Sequence, residues 1–153
     1  MKKPELYIVL AIIVVASSLS YAFFIDVPTV SVMSCNLTTK ENVTTYIIIE
    51  EAEDVKGVYI NLSYDASVVN VEDIKSSTFT TTSYKNIDNE RGYVGFAAVN
   101  TEPLSGDIKF AEVHFKAVGY EGASTPLNFN ALTISNGADQ IRSRPLSGII
   151  TIF

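Results

Sequence analysis

The side chains in this sequence best suited to chemistry are carboxylates that lie close together along the chain. Four of them fall within residues 50–54 and two within residues 88–90, and residues 136–139 bring an aspartate close to an asparagine. Two carboxylates can hydrolyse a glycosidic bond when a cleft fixes their separation, and clustered oxygen atoms can bind calcium. The largest group is typical of a solvated strand end and turn, and no twelve-residue loop of alternating ligands is present. We therefore predict neither a catalytic carboxylate pair nor a metal site.

Nucleophilic catalysis has few residues to draw on. His114 is the single histidine, so a Ser-His-Asp triad or a multi-histidine zinc site is not expected. It stands between Val113 and Phe115 in a predicted strand, where a half-exposed structural side chain is expected. Cys35 is the single cysteine, so no disulfide framework can form, and we expect a small apolar side chain near a strand end. We predict that the protein is not an enzyme and needs no cofactor.

The charge balance excludes one class of partner. The chain has 11 lysine and arginine residues against 17 aspartate and glutamate residues, a formal net charge of -6. Because phosphate backbones need a basic face, we expect no nucleic acid partner. The same charge disfavours docking on an anionic membrane surface.

The N-terminus carries an export signal. Two lysines precede residues 6–24, which are nearly all apolar and are expected to form a hydrophobic helix. The Ser-Tyr-Ala sequence at residues 20–22 has the small-x-small form of a cleavage site, but an apolar stretch of 19 residues could also just span a bilayer. We interpret residues 1–24 as a signal peptide or an N-terminal membrane anchor. In either case residues 28–153 would form an extracellular or cell-surface domain.

Three sequons support this location. Asn36, Asn42 and Asn61 each begin an Asn-x-Ser/Thr sequence, the acceptor for N-glycosylation in exported proteins. Serine and threonine are also common in strands and turns, so each match alone is weak. We take the three asparagines as candidate glycosylation sites.

The remainder of the chain is predicted to be all-β. Short runs of alternating apolar and polar residues are separated by turns rich in glycine, asparagine and aspartate, which is the pattern of a β-sandwich. The predicted strands span residues 29–34, 43–51, 57–64, 68–71, 80–87, 92–99, 108–118, 127–134 and 147–153. At about 130 residues such a domain buries roughly two-thirds of its unfolded surface, enough to fold without disulfides.

Alternation assigns the faces of these strands. In the strand over 57–64, the residues expected to face the core are Val58, Ile60, Leu62 and Tyr64, and those expected to face outward are Tyr59, Asn61 and Ser63. In the strand over 92–99, the expected core residues are Val94, Phe96 and Ala98. The apolar phase changes within 108–118 and within 127–134, so we predict a β-bulge in each. The strand over 147–153 is apolar on both faces, so it is expected mid-sheet or between the sheets.

The stretch "YINLSYDASVVNV", residues 59–71, predicts a sharp corner. Tyr64 ends one strand, and we expect its ring to be buried and its hydroxyl to bond a loop. Asp65 is expected to cap the turn by accepting backbone N–H bonds. The valines that follow restart pairing with the other sheet, which is how a sandwich makes a corner.

Four segments in order resemble the cohesin family, the nine-stranded sandwiches that bind dockerin modules. Within the corner, "LSYDASVVNV" is similar to the family's Tyr-Asp-Pro-x-Val-Leu-x-Val, with Ala66 in place of the proline and Val69 in place of the leucine. The other three are "VTTYIIIEEAEDVKGVYINLSYD", "NIDNERGYVGFAA" and "PLSGDIKFAEVHFKAVG". The resemblance implies a nine-stranded antiparallel β-sandwich with jelly-roll topology, an immunoglobulin-like architecture related to carbohydrate-binding modules.

The resemblance also implies a function. Cohesins bind dockerins through one sheet face, so the chain is expected to be a non-catalytic module for dockerin-type protein binding. By alternation, the outward residues of that face are Tyr59, Asn61, Ser63, Tyr84, Asn86, Tyr93 and Gly95. A glycan on Asn61 would block this face. Two alternatives stay open: a carbohydrate-binding module that takes polysaccharide on its tyrosines, and a structural or adhesive cell-surface subunit.

Overall fold

The computed structural model describes residues 26–153, and every regular element in that range is a β-strand. The strands are β1 (Thr29–Val32), β2 (Cys35–Leu37), β3 (Asn42–Ser63), β4 (Val69–Ser76), β5 (Thr81–Asp88), β6 (Tyr93–Ala117), β7 (Ser124–Ser135), β8 (Gln140–Ile141), β9 (Arg144–Leu146) and β10 (Gly148–Ile152). Within this range, no helix is long and apolar enough to cross a membrane. The predicted N-terminal helix, whether signal peptide or anchor, falls on residues 1–24, outside the described part of the chain.

Two long strands, β3 and β6, form the frame of the molecule. They run antiparallel and stay paired over most of their length. The sequence pattern predicts four strands here, because the polar stretches 53–56 and 103–107 are typical of loops. In the structure the register shifts repeatedly in this region, and Glu51 and Asp54 adopt positive φ angles of 56° and 52°. These irregularities bend both strands without ending their pairing, so each strand contributes to two layers.

The two layers are packed face to face. The front sheet contains β5, the first half of β6, the second half of β3, and β7. The back sheet contains β4, the second half of β6, the first half of β3, β1 and β9. Phe96 from the front sheet meets Phe110 from the back sheet with ring centroids 5.6 Å apart. The predicted all-β sandwich is therefore confirmed.

Core positions follow the predicted alternation. The residues expected to face inward from the strands over 57–64 and 92–99 are all at most 7% exposed. Both predicted bulges are confirmed: the extra residue is Phe110 on β6 and Asn130 on β7. The bulge on β6 lets Phe110 and its neighbour Ala111 both reach the core, where each is fully buried.

The ends of the domain depart from a purely antiparallel sandwich. β9 pairs parallel with β1, and β10 pairs parallel with β2, because the first and last strand segments lie side by side and run in the same direction. The strand predicted over 147–153 is observed as β10 and begins at Gly148, where a Cβ would lie 2.5 Å from the Val32 carbonyl oxygen. β10 lies mid-sheet as expected, but just one of its faces is buried. Ile150 is fully buried, whereas Ile149 is 46% exposed.

Candidate functional site

The structure brings all seven predicted binding residues together on the outer surface of the front sheet. Cross-strand register aligns Asn86, Gly95 and Asn61 in a central row, with Tyr84 and Tyr59 in the row on one side and Tyr93 and Ser63 in the row on the other. Adjacent rows lie two residues apart along each strand, so their side chains emerge on the same face. We call this surface the front face.

Tyr84 is held against the front face by two neighbours. Its ring centroid lies 6.1 Å from that of Tyr59, with 55° between the ring planes. On its other side, a Cβ at Gly95 would lie 2.8 Å from Tyr84 Cε1. The glycine therefore leaves the space that the ring occupies. Tyr84 is still 46% exposed, so the face presents a pair of contacting aromatic rings to solvent.

Short polar groups surround this pair. Asn86 Nδ2 donates to the Tyr93 hydroxyl over 3.4 Å. Ser63 Oγ lies 3.2 Å from Asn130 Oδ1 and 3.3 Å from the Asn128 carbonyl oxygen. The two rows beside the tyrosine pair therefore present hydroxyl and amide groups, several of which are hydrogen-bonded to one another.

Strand β7 extends the front face with residues that the sequence did not predict for it. Ala131 lies opposite Asn61, and Thr133 lies opposite Tyr59. The alternation of β7 around the buried residues Leu127 and Ile134 could have indicated them. It was obscured by the bulge at Asn130, which reverses the outward phase along the strand.

The two outer faces of the sandwich differ in charge. Among the described residues of the three front-face rows, the one carboxylate is Asp88, and its Oδ1 accepts the backbone N–H groups of Glu90 and Arg91 in its own turn. The back sheet instead carries ion pairs, Lys75 with Glu112 at 3.4 Å and Lys116 with Glu72 at 3.8 Å. The front-face rows therefore carry a single carboxylate, whereas the back sheet carries several charged side chains.

The predicted corner after β3 is confirmed. Tyr64 is 7% exposed, and its hydroxyl donates a 2.6 Å hydrogen bond to Asn89 Oδ1 in the turn between β5 and β6. Burial raises the pKa of Tyr64 to about 12. Asp65 Oδ1 accepts bonds from the Ser67 hydroxyl at 2.6 Å and backbone N–H at 2.8 Å, and these bonds lower the pKa of the carboxyl.

His114 lies on the outer side of the back sheet, half-exposed as expected. Its Nδ1 is 2.9 Å from Thr44 Oγ1, and its Nε2 is 3.9 Å from a Glu112 carboxylate oxygen. Cys35 is half-buried, and burial raises the pKa of its thiol. Within residues 26–153, no three histidine, cysteine or acidic side chains are grouped as metal ligands.

The carboxylate groups lie in turns and bends. The four acidic residues of 50–54 are exposed at the bend of β3. Backbone N–H groups of this bend are bonded to the opposite strand, that of Asp54 to Ser105 Oγ at 3.0 Å. In the 136–139 turn, Asn136 Oδ1 accepts the N–H groups of Ala138 and Asp139. The Asn136 amide oxygen therefore stabilises its own turn.

The three sequons occupy different settings. Asn36 is exposed on the short strand β2. Asn42 is exposed at the start of β3, where its Nδ2 donates to Glu72 Oε2. Asn61 is half-buried in the central row of the front face.

Solved structures share this fold. A cohesin from the archaeon Archaeoglobus fulgidus, described as non-cellulosomal, superposes with a TM-score of 0.73 at 18% identity, covering 84% of this chain and 92% of that chain. A cohesin from Clostridium acetobutylicum gives 0.72 at 18% identity, covering 83% and 91%. A type I cohesin–dockerin complex from Clostridium thermocellum gives 0.75 at 10% identity, covering 84% and 100%.

The sequence itself places the chain in a family. No curated protein matches it significantly. The family model described as Cohesin domain matches residues 28–152, nearly the whole of the described part. These residues include the corner, both long strands and the front face. The chain therefore belongs to the cohesin domain family.

Proposed function

We propose that this protein is a non-catalytic binding module that takes a dockerin-type protein module on its front face. The observation that carries the proposal is the front face itself, an aromatic and amide surface on a cohesin fold whose one carboxylate among the described rows, Asp88, is bonded within its own turn. Protein interfaces are enriched in tyrosine and depleted in charged residues at their centres. Of the two outer faces, the front face has this composition, whereas the back sheet carries two ion pairs between lysine and glutamate side chains.

The solved relatives support the choice of partner. Several of the matching structures are complexes between a cohesin and a dockerin, from Clostridium thermocellum and Acetivibrio cellulolyticus among others. Their sequence identity to this chain is 10–16%. At this identity the fold is shared, and the partner is proposed from the fold and the front face together.

The same proposal places the module outside the cell. The apolar stretch 6–24 and the sequons favour export. N-terminal sequencing of the native protein distinguishes the two forms: a start at Phe23 identifies a secreted module, and an intact Met1 identifies an anchored one.

A binding screen tests the function. The full chain, kept in detergent, is immobilised and exposed to a panel of dockerin modules and, separately, to insoluble polysaccharides. We expect at least one dockerin to bind and the polysaccharides not to retain the protein. Binding to polysaccharide alone would replace the proposal with the carbohydrate-binding alternative.

Two matched variants locate the binding face. Asn61→Arg places a long cation in the central row of the front face, and Asn70→Arg places the same side chain on the back sheet. We expect Asn61→Arg to abolish dockerin binding and Asn70→Arg to leave it unchanged. The reverse pattern would move the binding surface to the back sheet.

A further inference from the structure

We propose that Tyr84, whose ring lies over Gly95, is the front-face residue that contributes most to binding. The dockerin surface that contacts Tyr84 is uncharged. This inference rests on the proposed function and adds to it the residue that dominates binding and the chemistry of the complementary surface.

Residue 95 is a glycine because of the space that it leaves beside Tyr84. Gly95 lies in the interior of β6, paired on both sides, and does not have a positive φ. The backbone therefore does not require glycine there, and a glycine in a strand interior costs about 0.5–1 kcal/mol relative to alanine. What glycine provides is room, because a Cβ would come within 2.8 Å of Tyr84 Cε1. An aromatic side chain laid over a strand glycine covers the exposed backbone and orders the ring.

A second glycine on the same sheet, Gly57, provides a control position. Gly57 lies in β3, opposite Val99 and Ser135, also without a positive φ. A Cβ there would meet its nearest atoms at 3.4 and 3.5 Å, which is ordinary contact. Alanine therefore fits at Gly57 without movement of its neighbours, whereas alanine at Gly95 would displace the Tyr84 ring from the position it holds.

The Tyr84 ring offers a contact surface to a partner. Tyr84 is 46% exposed although Tyr59 packs against it. A large aromatic side chain that is already ordered loses little rotational freedom when a partner covers it, and such residues dominate protein interfaces. The 55° angle between the two rings also prevents both from stacking on one flat sugar ring. The geometry thus favours a protein surface over a polysaccharide.

The surface around Tyr84 carries little charge. The rows around Tyr84 present tyrosine, asparagine, serine, threonine, alanine and glycine, and Asp88 is bonded within its own turn. A charged group on the partner would be desolvated against this surface without an ionic partner, which is unfavourable. The contacting surface of the dockerin is therefore uncharged, and its binding is insensitive to salt, since screening acts on charge pairs.

The experiment measures the affinity of the full chain for each dockerin module of a panel, at about 50 mM and about 500 mM NaCl, a range over which charge screening changes strongly. The variants are Tyr84→Ala, Gly95→Ala and the double variant, with Gly57→Ala and the exposed loop variant Tyr120→Ala as controls. Thermal unfolding of each variant confirms that it is folded.

We expect Tyr84→Ala and Gly95→Ala each to weaken binding by about tenfold or more, as for an interface hot spot. The double variant should be no weaker than Tyr84→Ala, because the glycine acts through the ring. The two controls should remain within about twofold of wild type, and salt should change the affinity by less than about threefold.

Each other result has a defined meaning. A dockerin that binds with strong salt dependence, or equally well to Tyr84→Ala, overturns this inference and leaves the proposed function intact. Gly95→Ala binding like wild type overturns the role of the glycine and, with it, the inference. If no dockerin binds at either salt concentration, the proposed function is wrong and the inference falls with it.

Discussion

The hydroxyl of Tyr64 donates a 2.6 Å hydrogen bond to Asn89 Oδ1, and this bond joins the end of β3 to the turn between β5 and β6. The same amide bonds both backbone groups of Val71 at the start of β4, at 2.8 and 2.9 Å. One asparagine thus connects three segments that are distant in sequence. Because β5 and β6 supply Tyr84 and Gly95, this connection fixes one end of the front face.

Replacing Asn89 with alanine should destabilise the protein by about 2–4 kcal/mol, because it leaves the buried Tyr64 hydroxyl and the Val71 backbone without partners. Asn100→Ala is the matched control, since Asn100 accepts two bonds from Thr80 at an exposed site. It should cost about 1 kcal/mol or less. Urea unfolding measures both, and equal costs would show that the connection is not structurally important.

Substitution of Gly92 should be far more costly than that of Gly106. Both have positive φ angles, 70° and 89°. A Cβ at Gly92 would lie 2.2 Å from the Tyr64 carbonyl oxygen, whereas nothing lies within 4 Å of one at Gly106. We expect Gly106→Ala to cost about 1 kcal/mol from backbone strain alone, and Gly92→Ala at least twice as much. Chemical denaturation of the two variants provides the comparison, and similar values would contradict it.

The buried Tyr64 should make the fold sensitive to alkali. Burial raises its pKa from 10.0 to about 12, so between these values the unfolded chain has lost the phenolic proton and the folded chain keeps it. The stabilisation is present below pH 10 and is lost as the pH rises toward 12. Unfolding temperatures above pH 10 should fall more steeply for wild type than for Tyr64→Phe. Parallel curves would exclude this linkage.

Asp65 should contribute an acid-sensitive element. Bonds from Ser67 lower its pKa below 3.8, so the folded state holds it ionised where the unfolded chain takes up a proton. Its contribution is present above that pH and is lost as the pH falls through the lowered value. Asp65→Asn keeps an oxygen acceptor for Ser67 but removes the titration. The stability of the variant should therefore change less than that of wild type as acid is added below pH 3.8. Circular dichroism follows the unfolding of both proteins. The same acid profile for variant and wild type would contradict a contribution from Asp65.

Native Asn61 should carry no glycan. A glycan there would stand in the central row between Gly95 and Ala131 and cover Tyr84's neighbours. Exposed Asn36 and Asn42 lie away from that row, so glycans there are compatible with binding. Peptide mass spectrometry of the native protein reads occupancy at all three sites. Full occupancy at Asn61 would count against binding through the front face.

Local pattern in the sequence predicts much of this protein because the underlying constraints are local. Side chains alternate with a period of two along a strand, so the buried positions Ile60, Leu62 and Phe96 could be assigned without knowing their neighbours. A change of phase indicates a bulge for the same reason, as at Phe110. The Tyr64-Asp65 corner depends on short-range hydrogen bonds, which residue types at fixed spacing specify.

Tertiary structure decided what depends on residues distant in sequence. Polar composition around 53–56 indicates a loop, but pairing with the opposite strand keeps it within β3, because long-range hydrogen bonds override local preference. Asn89 gives no sign in the sequence that it bonds both Tyr64 and Val71. Likewise, the need for Gly95 arises from a side chain eleven residues earlier on another strand, Tyr84, whose ring fills the space that a Cβ would take. Steric exclusion of this kind acts between atoms in contact, so only the packed sheet determines it.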